Sequence, residues 1–157
     1  MKSDDVLQCM LDAQREMNEK LILKTLERKR SDCQLNPCLA KSLFKREVPI
    51  AYLSVDSPEA EWLRKYCQAI IHEAAEFIES AGFKWWSVDK QCDVHNLKVE
   101  LVDMLHFWLS LCLIMGMSAE DIADIYFQKL QINHQRQDSN AYSRETKTED
   151  DNKSIKT

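Results

Sequence analysis

Hydrophobic residues recur at spacings of three and four through the start of the chain: Val6, Leu7, Met10, Leu11, Met17, Leu21, Ile22 and Leu26. That period marks one face of an α-helix and predicts a helix from Ser3 or Asp4 to about residue 29. Arg30 to Ser57 contains Pro37 and Pro49 and no sustained period. It reads as a connection with one short helical turn around Leu39 to Phe44, long for a link between helices, which covers part of a site or only fills space. Ser57-Pro58 is a helix start with a mechanism. Serine caps the free N–H groups, proline occupies the first position where its missing N–H costs nothing, and Glu59 and Glu61 sit at the positive end of the dipole. This second helix should reach Ser80 and stop at Gly82. A loop with Lys84, Trp85 and Trp86 and a polar stretch to Asp93 precede a third helix over residues 95–115, ended by Gly116. Ser118 to Asp121 has the spacing of a capping box with Asp in place of Glu, and starts a fourth helix to about Arg136. From Gln137 onward the chain is polar and charged, which predicts a mobile tail.

Composition narrows this to one architecture. The 157 residues include two glycines and three prolines, against roughly 11 and 8 at average usage. An all-β fold of short strands needs many tight turns and is excluded on that ground. Neither glycine has another at the spacing of a phosphate loop or a dinucleotide fingerprint. One domain of this length carries a sizeable core. The expected fold is an all-α bundle of four to five helices over residues 1–136, followed by the tail at 137–157.

A net charge of −5 argues against sequence-independent nucleic-acid binding, which uses a basic surface. The apolar run from Met104 to Met117 is shorter than the roughly 20 residues that span a bilayer, so it reads as a buried helix, and no membrane association is expected. The N-terminus carries two acids where a secretory signal would be apolar. Six scattered cysteines, Cys9, Cys33, Cys38, Cys67, Cys92 and Cys112, then read as cytoplasmic thiols. Cys33 and Cys38 lack the second close Cys/His pair of a zinc site.

The candidate chemistry lies on the second and third helices. Glu73 and Glu76 stand at i and i+3 on one, Glu100 and Asp103 at the same spacing on the other. Residues three apart lie on nearly one face, one turn along the axis. Glu100, Asp103 and His106 form a line on a helix that is otherwise apolar after Glu100, where charges must be paired, protonated or bound to a cation. Leu63, Cys67, Ile70, Ala74, Phe77 and Ile78 are expected to form the core face of the second helix. Four carboxylates meeting from two antiparallel helices would make an oxygen-rich pocket suited to one or more Mg²⁺ ions, and such a cluster serves to bind a polyphosphate. An exposed acidic stripe is the alternative. Cations for the phosphates are available at Lys84, Lys129, Arg136 and Arg144, each of which can equally be a surface charge. Trp85 and Trp86 offer a face for a base or close the end of the core. His106 reaches a ligand or hydrogen-bonds Asp103, and His95 and His134 have no evident role.

The pattern HEAAEF, then FKWW, then VELVDMLHFWLSL, then YFQKLQINHQRQDSNAY and KTEDDN resembles the dimeric all-α dUTPases, relatives of the MazG-like nucleoside triphosphate pyrophosphohydrolases. The likeness runs from about Ile70 to Asn152, with Gln14 and Asn18 resembling the family's base-reading pair. It implies Mg²⁺ held by Glu73, Glu76, Glu100 and Asp103, hydrolysis of dUTP to dUMP and pyrophosphate, and a homodimer. It implies further that Gln14, Asn18, Trp86 or Trp85, and His106 surround the deoxyuridine. Lys84, Lys129, Asn133, Arg136, Gln137 and Tyr142 would hold sugar or phosphates, and the tail, with Lys147, would order over the substrate. Departures from the pattern are His72, where MazG-like relatives often carry a glutamate, Arg15 after Gln14, and the 30–57 connection, which has no counterpart.

Three other readings stay open. A broader MazG-like or dCTP-type pyrophosphohydrolase would share the carboxylates. A di-iron carboxylate bundle normally has Glu-x-x-His on two helices, which Asp103-x-x-His106 alone approaches. A non-catalytic helical adaptor would tolerate Glu100→Ala and Asp103→Ala and show no melting response to Mg²⁺.

Overall fold

A computed structural model of the chain describes residues 3–28, 43–44, 53–84, 86, 88, 91–138 and 149–156. Among these residues the secondary structure is helical, without a strand: α1 (Ser3–Arg28), α2 (Pro58–Ser80), α3 (Val94–Ile114), α4 (Ala119–Asp138) and a short 3₁₀ helix (Glu149–Ser154). The fold is the expected all-α bundle. No single helix is long and apolar enough to cross a membrane.

The helix boundaries from Ser57 to Asp121 have local causes. The Ser57 hydroxyl accepts from the Ala60 amide at 3.1 Å with Pro58 at the first position, and Asp93 caps α3 through the Asn96 amide at 3.0 Å. Ser118 and Asp121 form the reciprocal box: the Asp121 carboxylate accepts from the Ser118 amide at 2.8 Å, and the Ser118 hydroxyl accepts from the Asp121 amide at 3.1 Å. The bond from the Ser118 amide and a second from its hydroxyl, which donates to Asp121 Oδ2 at 2.7 Å, hold the Asp121 carboxyl below its ordinary value. Gly82 and Gly116 take φ of 76° and 73°, which glycine adopts without a Cβ clash. In both cases the glycine amide bonds back three residues and the next amide five, Phe83 to Ile78 and Met117 to Cys112. This is the paired bonding of a Schellman end. The break at Gly116 turns α4 by 105° from α3.

α2 and α3 run antiparallel. Ser80 meets Asn96, Glu73 meets Glu100, and the rings of Tyr66 and Phe107 lie 6.0 Å apart. α1 packs on α3, and α4 packs on α1. The core joins Leu11 and Ile22 of α1, Tyr66 of α2, Leu109, Cys112, Leu113 and Ile114 of α3, and Ala119 and Ile122 of α4. Leu43 and Phe44 are buried with them, and the Phe44 carbonyl accepts from Arg15 Nε at 2.9 Å. Thus part of the expected helical turn is an anchor driven into the core; the remainder of residues 29–52, with Cys33 and Cys38, lies outside the described residues. Cys9, Cys67, Cys92 and Cys112 are free thiols, and burial pushes the Cys112 thiol up to about 11.

Two faces differ from the periodicity. On α2, Cys67 and Ile78 are exposed and Leu63, Ile70, Ala74 and Phe77 half-buried, whereas Ala60 and Tyr66 are buried. α3 is most enclosed from Leu109 to Ile114, so it covers the opposite end of the antiparallel α2 more fully. On α1, Val6, Met10, Met17 and Leu21 are exposed, and Gln14 and Asn18 are buried; Asn18 keeps 1% of its surface and Leu21 50%. The amides are drawn inward because α3 supplies hydrogen-bond partners for them, which a hydrophobicity period cannot register.

The Tyr66 hydroxyl is buried without a hydrogen-bond partner among the described residues. Burial pushes it up to about 12, against a smaller opposing pull from Ser110. Both lone pairs of the Ser110 oxygen already face amide N–H groups of Gln14 and Asn18, which leaves none for the tyrosine. Since an unmade buried hydrogen bond costs about 1–3 kcal/mol, Tyr66→Phe should hold or raise stability in urea denaturation, by up to about 1 kcal/mol.

Within the tail, residues 149–156 are held against α4 by polar bonds. Glu149–Ser154 forms the 3₁₀ helix, Lys129 donates to Asn152, and the Gln128 amide pairs reciprocally with the Lys156 backbone at 3.0 and 3.3 Å. Polar bonding to α4 does here what apolar burial does elsewhere.

Candidate active site

Three of the four acidic residues converge across the α2–α3 seam. Carboxylate oxygens of Glu73, Glu100 and Asp103 lie within 4.8 Å of one another, with Glu100 buried and the other two half-buried. The antiparallel register puts Glu73 opposite the Glu100–Asp103 turn, and the i, i+3 spacing brings both α3 carboxylates to that side. Asn96 orders the cluster from outside. Its amide donates to Glu100 Oε1 at 2.8 Å and to the Ser80 hydroxyl at 2.8 Å, tying α3 to the end of α2.

Glu76 is turned differently. Its carboxylate lies 3.0 Å from His72 Nδ1, and His72, Glu73 and Glu76 form a second group with ligand atoms within 4.8 Å. Glu73 belongs to both. Partial burial is the first cause that raises its carboxyl above 4.5, followed by a hydrogen bond with Glu100 and repulsion from Glu76, Glu100 and Asp103. Such crowding of like charges with no cation in the cluster is costly at neutral pH.

One turn further along α3 the polarity changes. His106, Leu105, Leu109 and Val102 of α3 with Met10, Ala13, Gln14 and Met17 of α1 line a cavity of about 220 Å³. Its walls are apolar except at Gln14 and His106. His106 Nδ1 lies 2.7 Å from Gln14 Oε1, so His106 meets Gln14 and not Asp103. Behind them, Gln14 Nε2 donates to Asn18 Oδ1 at 2.9 Å and to Ser110 Oγ at 3.1 Å, and Asn18 Nδ2 donates to Ser110 Oγ at 3.0 Å. The helix rise of 1.5 Å per residue separates Asp103 from His106 by about 4.5 Å along the axis. Carboxylates and cavity are therefore neighbours on one line of α3.

The remaining candidates are dispersed. Lys84 is exposed and lies 3.8 Å from Glu79 Oε1. Trp86 is 60% exposed and meets Phe83 edge-on at 6.0 Å, so it does not close the core. Lys129, Asn133, Arg136 and Gln137 are on α4, whose main neighbour is α1; Lys129 is bonded to Asn152, Arg136 is buried, and Gln137 is exposed. Trp85, Tyr142, Arg144 and Lys147 lie outside the described residues.

Sequence reasoning gave no role to Ser110, Asn96 or the His72–Glu76 pair. Ser110 had a readable signal: it follows His106 by four in an apolar run, on the same side as Glu100 and Asp103. Asn96 had one as well, standing four residues before Glu100.

The site is thus Glu73 facing Glu100 and Asp103 across two antiparallel helices of an all-α bundle, beside a small apolar cavity. A family model described as dUTPase matches residues 6–115, taking in α1, α2 and α3. The chain belongs to the dimeric all-α dUTPase family. No curated protein and no solved structure matches it.

Proposed function

We propose that the protein hydrolyses dUTP to dUMP and pyrophosphate with Mg²⁺, a reaction that removes dUTP from the nucleotide pool and supplies the precursor of dTMP. The observation that carries this reading is the convergence of Glu73, Glu100 and Asp103 within 4.8 Å, one helical turn from the Gln14–His106 cavity, in a chain of the dUTPase family. The trio offers only carboxylate oxygens, a donor set that fits a hard, oxygen-seeking ion such as Mg²⁺. Glu73, Glu100 and Asp103 would hold it, with Glu76 beside them. When bound, Mg²⁺ supplies positive charge that offsets the phosphate oxygens and favours deprotonation of water.

The chain's own residues do the rest. Asn96 holds Glu100 in place, and Gln14 and His106 present polar atoms to one ring edge inside an apolar cavity. Its volume is below the roughly 300 Å³ of a drug-sized ligand pocket, which suits a base with sugar and phosphates leading out toward the carboxylates. Trp86 or Trp85 would cover the base. Lys84, Lys129, Asn133, Arg136, Gln137 and Tyr142 would contact sugar or phosphates once the tail orders over the substrate.

Pyrophosphate release from dUTP, dCTP, dTTP, dATP and dGTP with Mg²⁺ tests the reading. Selective turnover of dUTP is expected. Equal turnover of all five would leave a general MazG-like pyrophosphohydrolase, and turnover of dCTP in preference would reassign the base. The di-iron alternative has a single Asp103-x-x-His106 where such bundles carry Glu-x-x-His on two helices.

A homodimer is part of the proposal. Met17 and Leu21 of α1 and Leu101 and Val102 of α3 are half-exposed apolar side chains, and association buries apolar surface that a single small bundle leaves open. Sedimentation velocity should give a dimer near twice 18.4 kDa, and Leu21→Glu should shift it to monomer.

A further inference from the structure

Ser110 is fully buried on α3, has no apolar role that alanine would not fill, and bonds both amides behind the cavity. Its hydroxyl has one proton and two lone pairs. The oxygen lies 2.9 Å from the His106 carbonyl, which can only accept, so the proton goes there. The lone pairs then face Gln14 Nε2 at 3.1 Å and Asn18 Nδ2 at 3.0 Å; the contact to Asn18 Oδ1 is longer, at 3.4 Å. Both amides must therefore turn their NH₂ groups toward Ser110.

For Gln14 this has a consequence at the cavity. Its two N–H bonds are taken by Ser110 Oγ and Asn18 Oδ1, which leaves Oε1 facing His106 Nδ1 at 2.7 Å. A carbonyl oxygen cannot donate. Nδ1 of a neutral His106 must then carry the proton, and Nε2 is left as an acceptor. Uracil presents N3–H as a donor between two carbonyl acceptors. Cytosine presents N3 as an acceptor beside an amino group.

We propose that Ser110 is a positioning residue for base selection: its hydroxyl orients the Gln14 and Asn18 amides and, through Gln14, fixes His106 as the Nδ1–H tautomer whose Nε2 accepts the N3–H of uracil. The inference rests on the dUTP reading above and deepens it. A cytosine ring would set two acceptors against each other, and a site built on buried polar groups discriminates strongly against a ligand that leaves them unpaired. Ser110 acts through other side chains and touches no substrate.

The test begins without nucleotide. Long-range ¹H–¹⁵N correlation on the ¹⁵N-labelled full chain, at a pH where the imidazoles are neutral, reads the tautomer of His106, assigned by its loss in His106→Gln. The wild type should show Nδ1–H, Ser110→Ala a mixture with Nε2–H, and Ser110→Thr, which keeps the hydroxyl, Nδ1–H. Nε2–H in the wild type overturns the proposal by itself, even where Ser110→Ala does not fold, and so does an unchanged tautomer in Ser110→Ala. The same proteins are then assayed on dUTP and dCTP. Ser110→Ala should lower the ratio of kcat/KM for the two by about tenfold or more, through KM on dUTP more than kcat, with Ser110→Thr restoring it. A selective wild type whose Ser110→Ala variant keeps its preference overturns the role of Ser110 and leaves the dUTP reading standing. A wild type that turns over both nucleotides equally, with the tautomer as stated, overturns the dUTP reading and with it the part of Ser110 in base choice.

Discussion

Glu100→Gln and Asp103→Asn should each lower kcat/KM on dUTP by at least about 100-fold, equivalent to about 2.7 kcal/mol of transition-state stabilisation. Both variants keep the shape of the α2–α3 seam and remove one charge from a group of three within 4.8 Å. The wild type should gain stability on adding Mg²⁺. At 100 times its dissociation constant a ligand contributes about 2.7 kcal/mol, or about 5–10 °C in Tm for a chain of this size, and the two variants should lose most of that gain. Glu73 adds a pH dependence. Its carboxyl is raised above 4.5, so the native state keeps this proton to higher pH than the unfolded state. Its contribution to stability is therefore complete below about 4.5 and is lost as pH rises through the folded value. Without Mg²⁺, Glu73→Gln should have the higher Tm at neutral pH and a flatter Tm profile between pH 4 and 7. Thermal melts with and without Mg²⁺, paired with pyrophosphate release, separate this from an inert acidic cluster, which would show neither the metal response nor the loss of turnover.

Gln14→Ala is expected to be the most damaging change outside the carboxylates. Gln14 bonds Asn18, Ser110 and His106 at once, and its removal frees three buried or half-buried partners together. Kinetically the loss should fall on KM for dUTP, with kcat/KM down by about 100-fold and dCTP turnover much less affected. In stability, the unpaired groups should cost about 1–3 kcal/mol. Steady-state kinetics on both nucleotides together with urea unfolding would show the two effects in one protein. A uniform fall on dUTP and dCTP would mean that Gln14 supports the fold and not base choice.

Much of the architecture was legible because short-range chemistry determines it. Ser57-Pro58, Asp93, Ser118 with Asp121, and the two glycines act within one turn of the residues they satisfy, and α2 ends at Ser80 as read. The carboxylate pairs were visible because a charge on an apolar helix is conspicuous by itself. What could not be read was set by neighbours distant in sequence. The rotation of α1 follows from Gln14 and Asn18 meeting Ser110 more than 90 residues away, so the hydrophobic period put Met17 and Leu21 on the apolar face and gave no sign that the amides are buried. Leu43 and Phe44 sat among prolines and charges with no period to mark them. Glu76 was grouped with the other three acids by spacing, yet His72, four residues earlier on its own helix, takes its carboxylate. The helix at Glu149–Ser154 was invisible because its attachment is a Gln128–backbone pairing and a lysine–asparagine bond, neither of which composition records.

The inverted polarity of α1 bears on how this protein would respond to selection for robustness. A buried network of two amides and a hydroxyl gains little stability over well-packed apolar side chains of the same shape. Leucines at positions 14 and 18 with alanine at 110 would give the α1–α3 seam an ordinary apolar core. A screen that rewards heat resistance alone would move toward those residues and away from base recognition. The part of the bundle easiest to stabilise is thus the part that the proposed base recognition would hold in its present form.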